Sequence, residues 1–332
     1  MKKVDVSIII CVYNAGPVLV DTIRHLTKLI TTKVQNLEVI FVDNNSTDNS
    51  CEIIKQTLQG YNLFDWRIVK EVKSGLTFAR LKGISEAKYD LLLFCDQDNL
   101  LYDDYLSVGL NLLEKDTKIA VLGGFGIAKA DIELPNWFAK NKIFYAVGEQ
   151  MIYSGQVKSG HYAVYGAGMF VRKTAFEEIS KRGFRFFNTS RSGKNLASGE
   201  DTEMCMAFHI AGFKVWYNSE MKFYHVIETK KLNIDYLNKL KMGISQSRFV
   251  TRFYLDYING YIPCVSRFFW LKEFIYSMKD LIISLFIKNN RLGIKRNYHF
   301  SMYLLSQRSL YNENVKNIIS ICKNLQNNET TK

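Results

Sequence analysis

The chain has 332 residues and is 47% hydrophobic, enough for a substantial core in one large or two modest domains. Its net charge of +12 is uneven: residues 1–227 carry 27 Lys+Arg against 25 Asp+Glu, whereas residues 228–332 carry 17 against 7. Six scattered cysteines form no C-x-x-C pair and read as reduced and structural, which fits the cytosol rather than a disulfide scaffold. The N-terminus runs straight into a strand with no apolar signal region, so secretion is not expected.

Residues 6–12 are a continuous apolar run, a buried strand, and Tyr13-Asn14-Ala15-Gly16 turns out of it. Pro17 suits the first position of a helix whose apolar period runs from Val18 to Ile30. Residues 37–42 are the next strand. It ends in Asp43-Asn44-Asn45-Ser46-Thr47-Asp48, a loop rich in helix caps that leads into a helix through Ile53, Ile54 and Leu58. Residues 67–72 form a third strand, and Lys73-Ser74-Gly75 turns into a helix through Phe78, Leu81 and Ile84. The fourth strand is Leu91-Leu92-Leu93-Phe94-Cys95, closed by Asp96-Gln97-Asp98 and Asn99.

Another strand is expected over residues 119–126, then an irregular aromatic stretch over 127–160. Residues 162–171 read as a strand broken by Gly166-Ala167-Gly168, where glycine marks a close approach of ligand or backbone. Ser198-Gly199-Glu200-Asp201 opens a helix over residues 202–211. Two short strands follow, 213–217 and 221–224, the second delivering His225.

Repeated strand–helix alternation predicts a mostly parallel, Rossmann-like α/β sheet. All the polar loops after its strands then share one rim, where open α/β sheets bind ligands. No G-x-G-x-x-G follows the first strand and no P-loop occurs, so a nicotinamide site is disfavoured. Something else must neutralise a phosphate there. A divalent cation on Asp96 and Asp98 is the natural candidate, although D-x-D alone can also be a plain acidic turn.

Together these motifs resemble family 2 glycosyltransferases of the GT-A fold. The resemblance rests on residues 6–14, the loop at 42–48, Gly75-Leu76-Thr77-Phe78-Ala79-Arg80, residues 94–99 and Gly199-Glu200-Asp201-Thr202-Glu203. Leu134-Pro135-Asn136-Trp137-Phe138, Gly166-Ala167-Gly168-Met169 and Phe223-Tyr224-His225 resemble a bacterial surface-polysaccharide branch. The resemblance implies inverting transfer from a nucleotide-diphosphate sugar, UDP being the expected nucleotide, to a glycan or lipid-linked hydroxyl, with Mn²⁺ or Mg²⁺. It puts Asp43, Tyr13, Asn14 and Asn45 at the nucleotide, Arg80 at the nucleotide or diphosphate, and Asp96 near the ribose. Gln97 is a departure, since many members carry an acid there, so metal binding leans on Asp98. Asp201 matches the general base and is preferred to its neighbour Glu200. A pair of acids at a helix start can also be simple capping.

His225 at a strand end can offer an imidazole nitrogen to the metal, or be structural. Trp137, Gly168 and Glu200 are acceptor-side candidates. No Q-x-x-R-W motif or membrane-spanning segment points to processive synthesis.

The expected division is a transferase domain over 1–228 (nucleotide half 1–105, acceptor half 106–228) and a basic amphipathic helical extension over 229–332. Phe268, Leu271, Ile275, Met278, Ile282 and Leu285 recur at helical spacing in that extension. It reads as a cap on the domain, as a patch for the anionic inner face of the cytoplasmic membrane, or as both. No zinc-finger spacing or RNA-binding motif supports nucleic acid. The alternatives are a nucleotidyltransferase and a non-catalytic nucleotide-sugar or glycan binder.

Overall fold

A computed structural model describes residues 3–160, 162–188, 196, 198–287 and 291–327. The first half alternates as its apolar periodicity dictates. In order come β1 (Val4–Val12), α1 (Val18–Leu26), β2 (Val34–Asp43), α2 (Ser50–Leu58), β3 (Asp65–Lys70), α3 (Leu76–Glu86) and β4 (Leu91–Phe94). Then follow β5 (Asn99–Leu101), α4 (Tyr105–Lys115), β6 (Ile119–Lys129), β7 (Gly155–Gln156), β8 (Met169–Arg172), α5 (Lys173–Lys181), α6 (Glu200–Ile210) and β9 (Lys214–Val226). Four helices finish the chain: α7 (Ile234–Ile258), α8 (Phe269–Phe286), α9 (Arg291–Ser306) and α10 (Arg308–Asn327).

The strands form one sheet in the order β3-β2-β1-β4-β8-β6-β9-β5, with β7 on β9. β3, β2, β1, β4, β6 and β9 run one way, and β8, β5 and β7 run against them. The sheet is therefore mixed but mostly parallel in direction. The ends of β1, β2, β3 and β4 deliver their loops to one rim, as the alternation requires.

Several elements depart from the sequence reading. The strand expected over 162–171 is extended only over Met169–Arg172. Tyr162 and Gly168 sit at positive φ (51° and 66°), which an extended strand cannot hold, so the Gly166–Gly168 stretch enters β8 as a turn. The two short strands expected over 213–224 are one, β9. Its pairing with β6 passes from Gly123–Tyr217 to Phe125–Lys222, so the polar residues between are bulged out of a continuous strand. The first helix stops at Leu26, and Ile30 is exposed. β5, α4 and α5 fall where the sequence reading named no element.

The extension packs on the sheet's helical layer. Phe253 and Tyr254 of α7, Phe300 of α9 and Tyr311, Val315 and Cys322 of α10 share one buried cluster with Met204 and Phe208 of α6 and Val121 and Val171 of the sheet. At its centre lies Glu203 of α6, fully buried. It accepts the N–H groups of Phe187 and Asn188, both at 2.9 Å, and the Tyr254 hydroxyl at 3.3 Å. One carboxylate thus ties α6, α7 and the loop after α5.

Burial pushes the Glu203 carboxyl up from 4.5 to about 7, against the pull of those hydrogen bonds. Between these values the folded chain holds a proton that the unfolded chain has released. This contribution to stability is therefore complete below pH 4.5 and is lost as pH rises through 7. Glu203→Gln is expected to flatten the fall of Tm over that window, read by thermal unfolding across a pH series; an unchanged slope would remove Glu203 as its source.

Candidate active site

A cleft of about 1380 Å³ opens on the rim where the parallel strands end. Its walls include Tyr13 and Asn14 after β1, Asn44 after β2, Ser74 and Gly75 before α3, and Asp96, Gln97 and Asp98 after β4. From the other half come Gly166 and Ala167 before β8, Glu200 and Asp201 at the start of α6, and His225 near the end of β9. Asp98 and Asp201, 103 positions apart in the sequence, thus face one hollow.

The two halves are joined through Arg80 of α3, which is buried. Its Nη2 lies 3.3 Å from Asp96 Oδ1 and its Nη1 3.1 Å from Glu200 Oε1, and the guanidinium stands 5.3 Å over the Phe94 ring. Burial acts to lower the Arg80 pKa, but Asp96 and Glu200 outweigh it and hold it above its usual value. Gly166 explains the glycine stretch before β8. A Cβ there would lie 2.6 Å from Arg80 Nη1, so a side chain at this position would push the guanidinium away from its two carboxylates.

The same Gly166 donates its N–H to Asp201 Oδ2 at 2.9 Å, while Asp201 Oδ1 accepts from Thr202 N at 2.7 Å. Backbone donors from the turn before β8 and from α6 therefore aim Asp201. Glu200, one residue earlier, is buried instead. It is occupied by Arg80 and by the N–H of Gly199 at 3.1 Å.

On the rim formed by the first four strands, Gln97 bridges two loops. Its Oε1 accepts from Tyr13 N at 2.8 Å and its Nε2 donates to Tyr13 O at 3.3 Å. A carboxylate could not make the second bond, which gives the glutamine a physical reason. Asn14, at φ 46°, accepts from Thr47 N at 2.8 Å and pins the loop after β2. Asp43 and Asn45 do not line the cleft. Asp43 accepts from Ser46 N at 3.0 Å, and Asn45 donates to Val72 O at 2.6 Å and to Ser74 Oγ at 3.0 Å. The residue between them, Asn44, does reach the cleft wall and accepts from Gly75 N at 2.7 Å. Nothing in the run D-N-N marks which asparagine turns inward.

Among the described residues no group of three His, Cys, Asp or Glu side chains could hold a metal. The smaller pair has suitable chemistry. Asp98 Oδ2 and His225 Nε2 lie 3.5 Å apart, near the roughly 3 Å between neighbouring ligands of an octahedral cation. Asp98 and His225 would hold a divalent ion such as Mn²⁺ by one carboxylate oxygen and one imidazole nitrogen, and would leave the rest of its shell to other groups. His225 Nδ1 is buried without a hydrogen-bond partner, as are both side-chain polar atoms of Asn99. β5 and β9 pair Asn99 directly with His225.

Lys231, absent from the sequence reading, also meets this pair, its Nζ 3.7 Å from Asp98 Oδ2 and 2.9 Å from Glu228 Oε1. Burial lowers its pKa, but Asp98 and Glu228 prevail and keep it charged. α7 contributes Tyr236, Ser247 and Arg248 to the walls, which no local pattern announces. Two of the acceptor-side candidates sit in packed surroundings. Trp137 packs against the cluster around Phe138, and Gly168 faces Tyr105, whose hydroxyl donates to its carbonyl; neither lines the cleft.

A family model described as "Glycosyl transferase family 2" matches residues 7–180, more than half of the chain. The chain belongs to glycosyl transferase family 2. Among curated relatives of this family, glycosyltransferase GlyG of Streptococcus pneumoniae is 29% identical over 146 residues, covering 43% of this chain and 44% of GlyG. The match thus spans less than half of that relative's length. Cholesterol galactosyltransferase of Borreliella burgdorferi is 23% identical, covering 74% of this chain and 67% of its own. Succinoglycan biosynthesis protein ExoM of Rhizobium meliloti is 23% identical, covering 74% of each. S. aureus TarS 1–349 superposes with a TM-score of 0.54 at 14% identity, over 99% of this chain and 92% of that one. It has been solved with UDP and with UDP-GlcNAc. At that identity the likeness is one of fold, the GT-A fold expected above.

Arg80→Met leaves Glu200 and Asp96 without their shared counter-ion. It should cost about 3–5 kcal/mol of stability in urea unfolding, as loss of one partner from a buried ion pair does. A loss near zero would show that the carboxylates are solvated without it.

Proposed function

We propose that this family 2 chain is an inverting glycosyltransferase that moves a sugar from a UDP-sugar to a hydroxyl of a glycan or lipid-linked acceptor in bacterial surface-polysaccharide synthesis. The observation that carries the reading is the shared cleft. Asp201, aimed by two backbone N–H groups, opens onto the same hollow as Asp98, His225 and Lys231. The UDP and UDP-GlcNAc complexes of TarS support a UDP-sugar donor, and the names of ExoM and of the cholesterol galactosyltransferase support glycan and lipid hydroxyls as acceptors.

In this reading the uridine end lies along Tyr13 and Asn14, and the diphosphate lies at Asp98 with Lys231 beside it. An acceptor hydroxyl attacks the anomeric carbon from the face away from the diphosphate. Asp201 takes its proton as the new bond forms, because a neutral hydroxyl is a poor nucleophile. The leaving diphosphate gains charge in that step, and the Lys231 ammonium is placed to meet it. Arg80 and Glu200 act indirectly: their ion pair holds the start of α6, and hence Asp201, against the nucleotide half. A divalent ion held by Asp98 and His225 would supply further neutralisation of the diphosphate.

Release of UDP from candidate UDP-sugars, with and without acceptor, tests the reading directly. Asp201→Asn is expected to lower turnover by about 10²–10⁴-fold while UDP affinity by calorimetry stays near wild type; near-normal turnover would exclude Asp201 as the base. Manganese titration of His225→Ala, in the presence of UDP, should show at least about a tenfold weaker affinity. Equal affinity would leave Asp98 without that partner.

A further inference from the structure

α8 leaves most of its large apolar side chains in the open. Its buried side anchors Phe269 in the core at 6% exposure, but otherwise buries the polar Glu273, Ser277 and Ser284, at 9%, 5% and 3%. Its open side carries Ile275, Ile282 and Phe286, at 58%, 52% and 86%, with Phe268, Leu271 and Leu285 also exposed. An amphipathic helix on a water-soluble core shows the reverse.

The inward polar groups are matched. Glu273 accepts from Arg252 of α7 at 2.7 Å, and Ser277 meets Ser301 of α9 at 2.8 Å and the Asn297 carbonyl at 3.2 Å. Seams of small and hydroxyl residues, with apolar side chains turned outward, are how helices associate when lipid is their solvent. A continuous exposed apolar stripe otherwise marks a contact surface.

We infer that the open face of α8 docks on an anionic lipid bilayer, lying in the plane of the headgroups. Charge selects this occupant. Residues 228–332 carry 17 Lys+Arg against 7 Asp+Glu, and Glu273 is neutralised by Arg252. Lys272 and Lys279 are exposed at the border of the stripe, where their stems can lie on apolar surface while the ammonium reaches phosphate. A second copy of this chain would bring two strongly basic segments face to face.

No helix among the described residues is long and apolar enough to cross a membrane. α8 has 18 residues, and its exposed Lys272, Lys279 and Asp280 suit a helix lying on a surface rather than one sunk in hydrocarbon. The contact is mechanically close to the cleft. Arg252, which holds α8, is one turn along α7 from Arg248 in the cleft wall, and Phe249 stacks on Phe300 of α9 at 3.6 Å. This inference stands apart from the transferase reading, and its test needs no turnover.

The full chain is floated with vesicles of phosphatidylglycerol and phosphatidylcholine, or of phosphatidylcholine alone, at low and high salt, and its oligomeric state is read by light scattering. Wild type should float with the anionic vesicles, and about tenfold less with neutral ones or at high salt. Ile275→Glu with Ile282→Glu, both exposed, should abolish flotation with an unchanged circular dichroism spectrum. Lys272→Glu with Lys279→Glu should weaken it and leave the apolar stripe intact. Failure of wild type to float, equal flotation of the Ile pair variant, or a wild-type dimer that this variant breaks without any vesicle binding would each overturn the inference.

Discussion

The cleft depends on one guanidinium. Asp96 follows β4 and Glu200 begins α6 on the other side of the cleft, and both carboxylates would repel if brought together alone. Arg80 lies between them, buried over the Phe94 ring, and converts that repulsion into a joint. Much else follows from giving it room. Gly166 leaves the Arg80 guanidinium its place, and the same glycine's N–H reaches Asp201. Clearance for the joint and aim for the proposed base are thus one constraint, met at a single residue.

The parallel half was legible because its signals are local. Apolar runs of strand length, cap-rich loops and a helical period recur in order, and the four rim loops fall where that order puts them. Asp96, Gln97, Asp98, Glu200 and Asp201 were readable as cleft residues for the same reason: strand ends and a helix start place them there. What stayed hidden is set by long-range geometry. Which of Asp43, Asn44 and Asn45 turns inward depends on a bond to Gly75, and Lys231 meets Asp98 only because β5 pairs with β9. Trp137 and Gly168 were reasonable pocket residues by type, but each is consumed by packing.

The extension gives a sharper case. Periodicity put Phe268, Leu271, Ile275, Met278, Ile282 and Leu285 on one side of a helix, and α8 runs over Phe269–Phe286. It could not say which way the stripe points. The usual inference, that the apolar side packs inward, fails because Arg252, Ser301 and Asn297 offer partners to the polar side. Residue spacing puts a stripe on one side of a helix, but only the neighbouring helices decide whether that side faces in or out.

The region that the family model matches stops at residue 180, whereas the cleft takes Asp201, His225, Lys231 and Arg248 from beyond it. The inherited unit and the working unit therefore do not coincide. Exchange of segments between relatives at the edge of the shared region would separate one wall of the cleft from the other. A hybrid that keeps the cleft whole has to carry everything from α6 through α7 as one cassette, and divergence within that cassette reshapes one wall while the rim loops of the matched region stay the same.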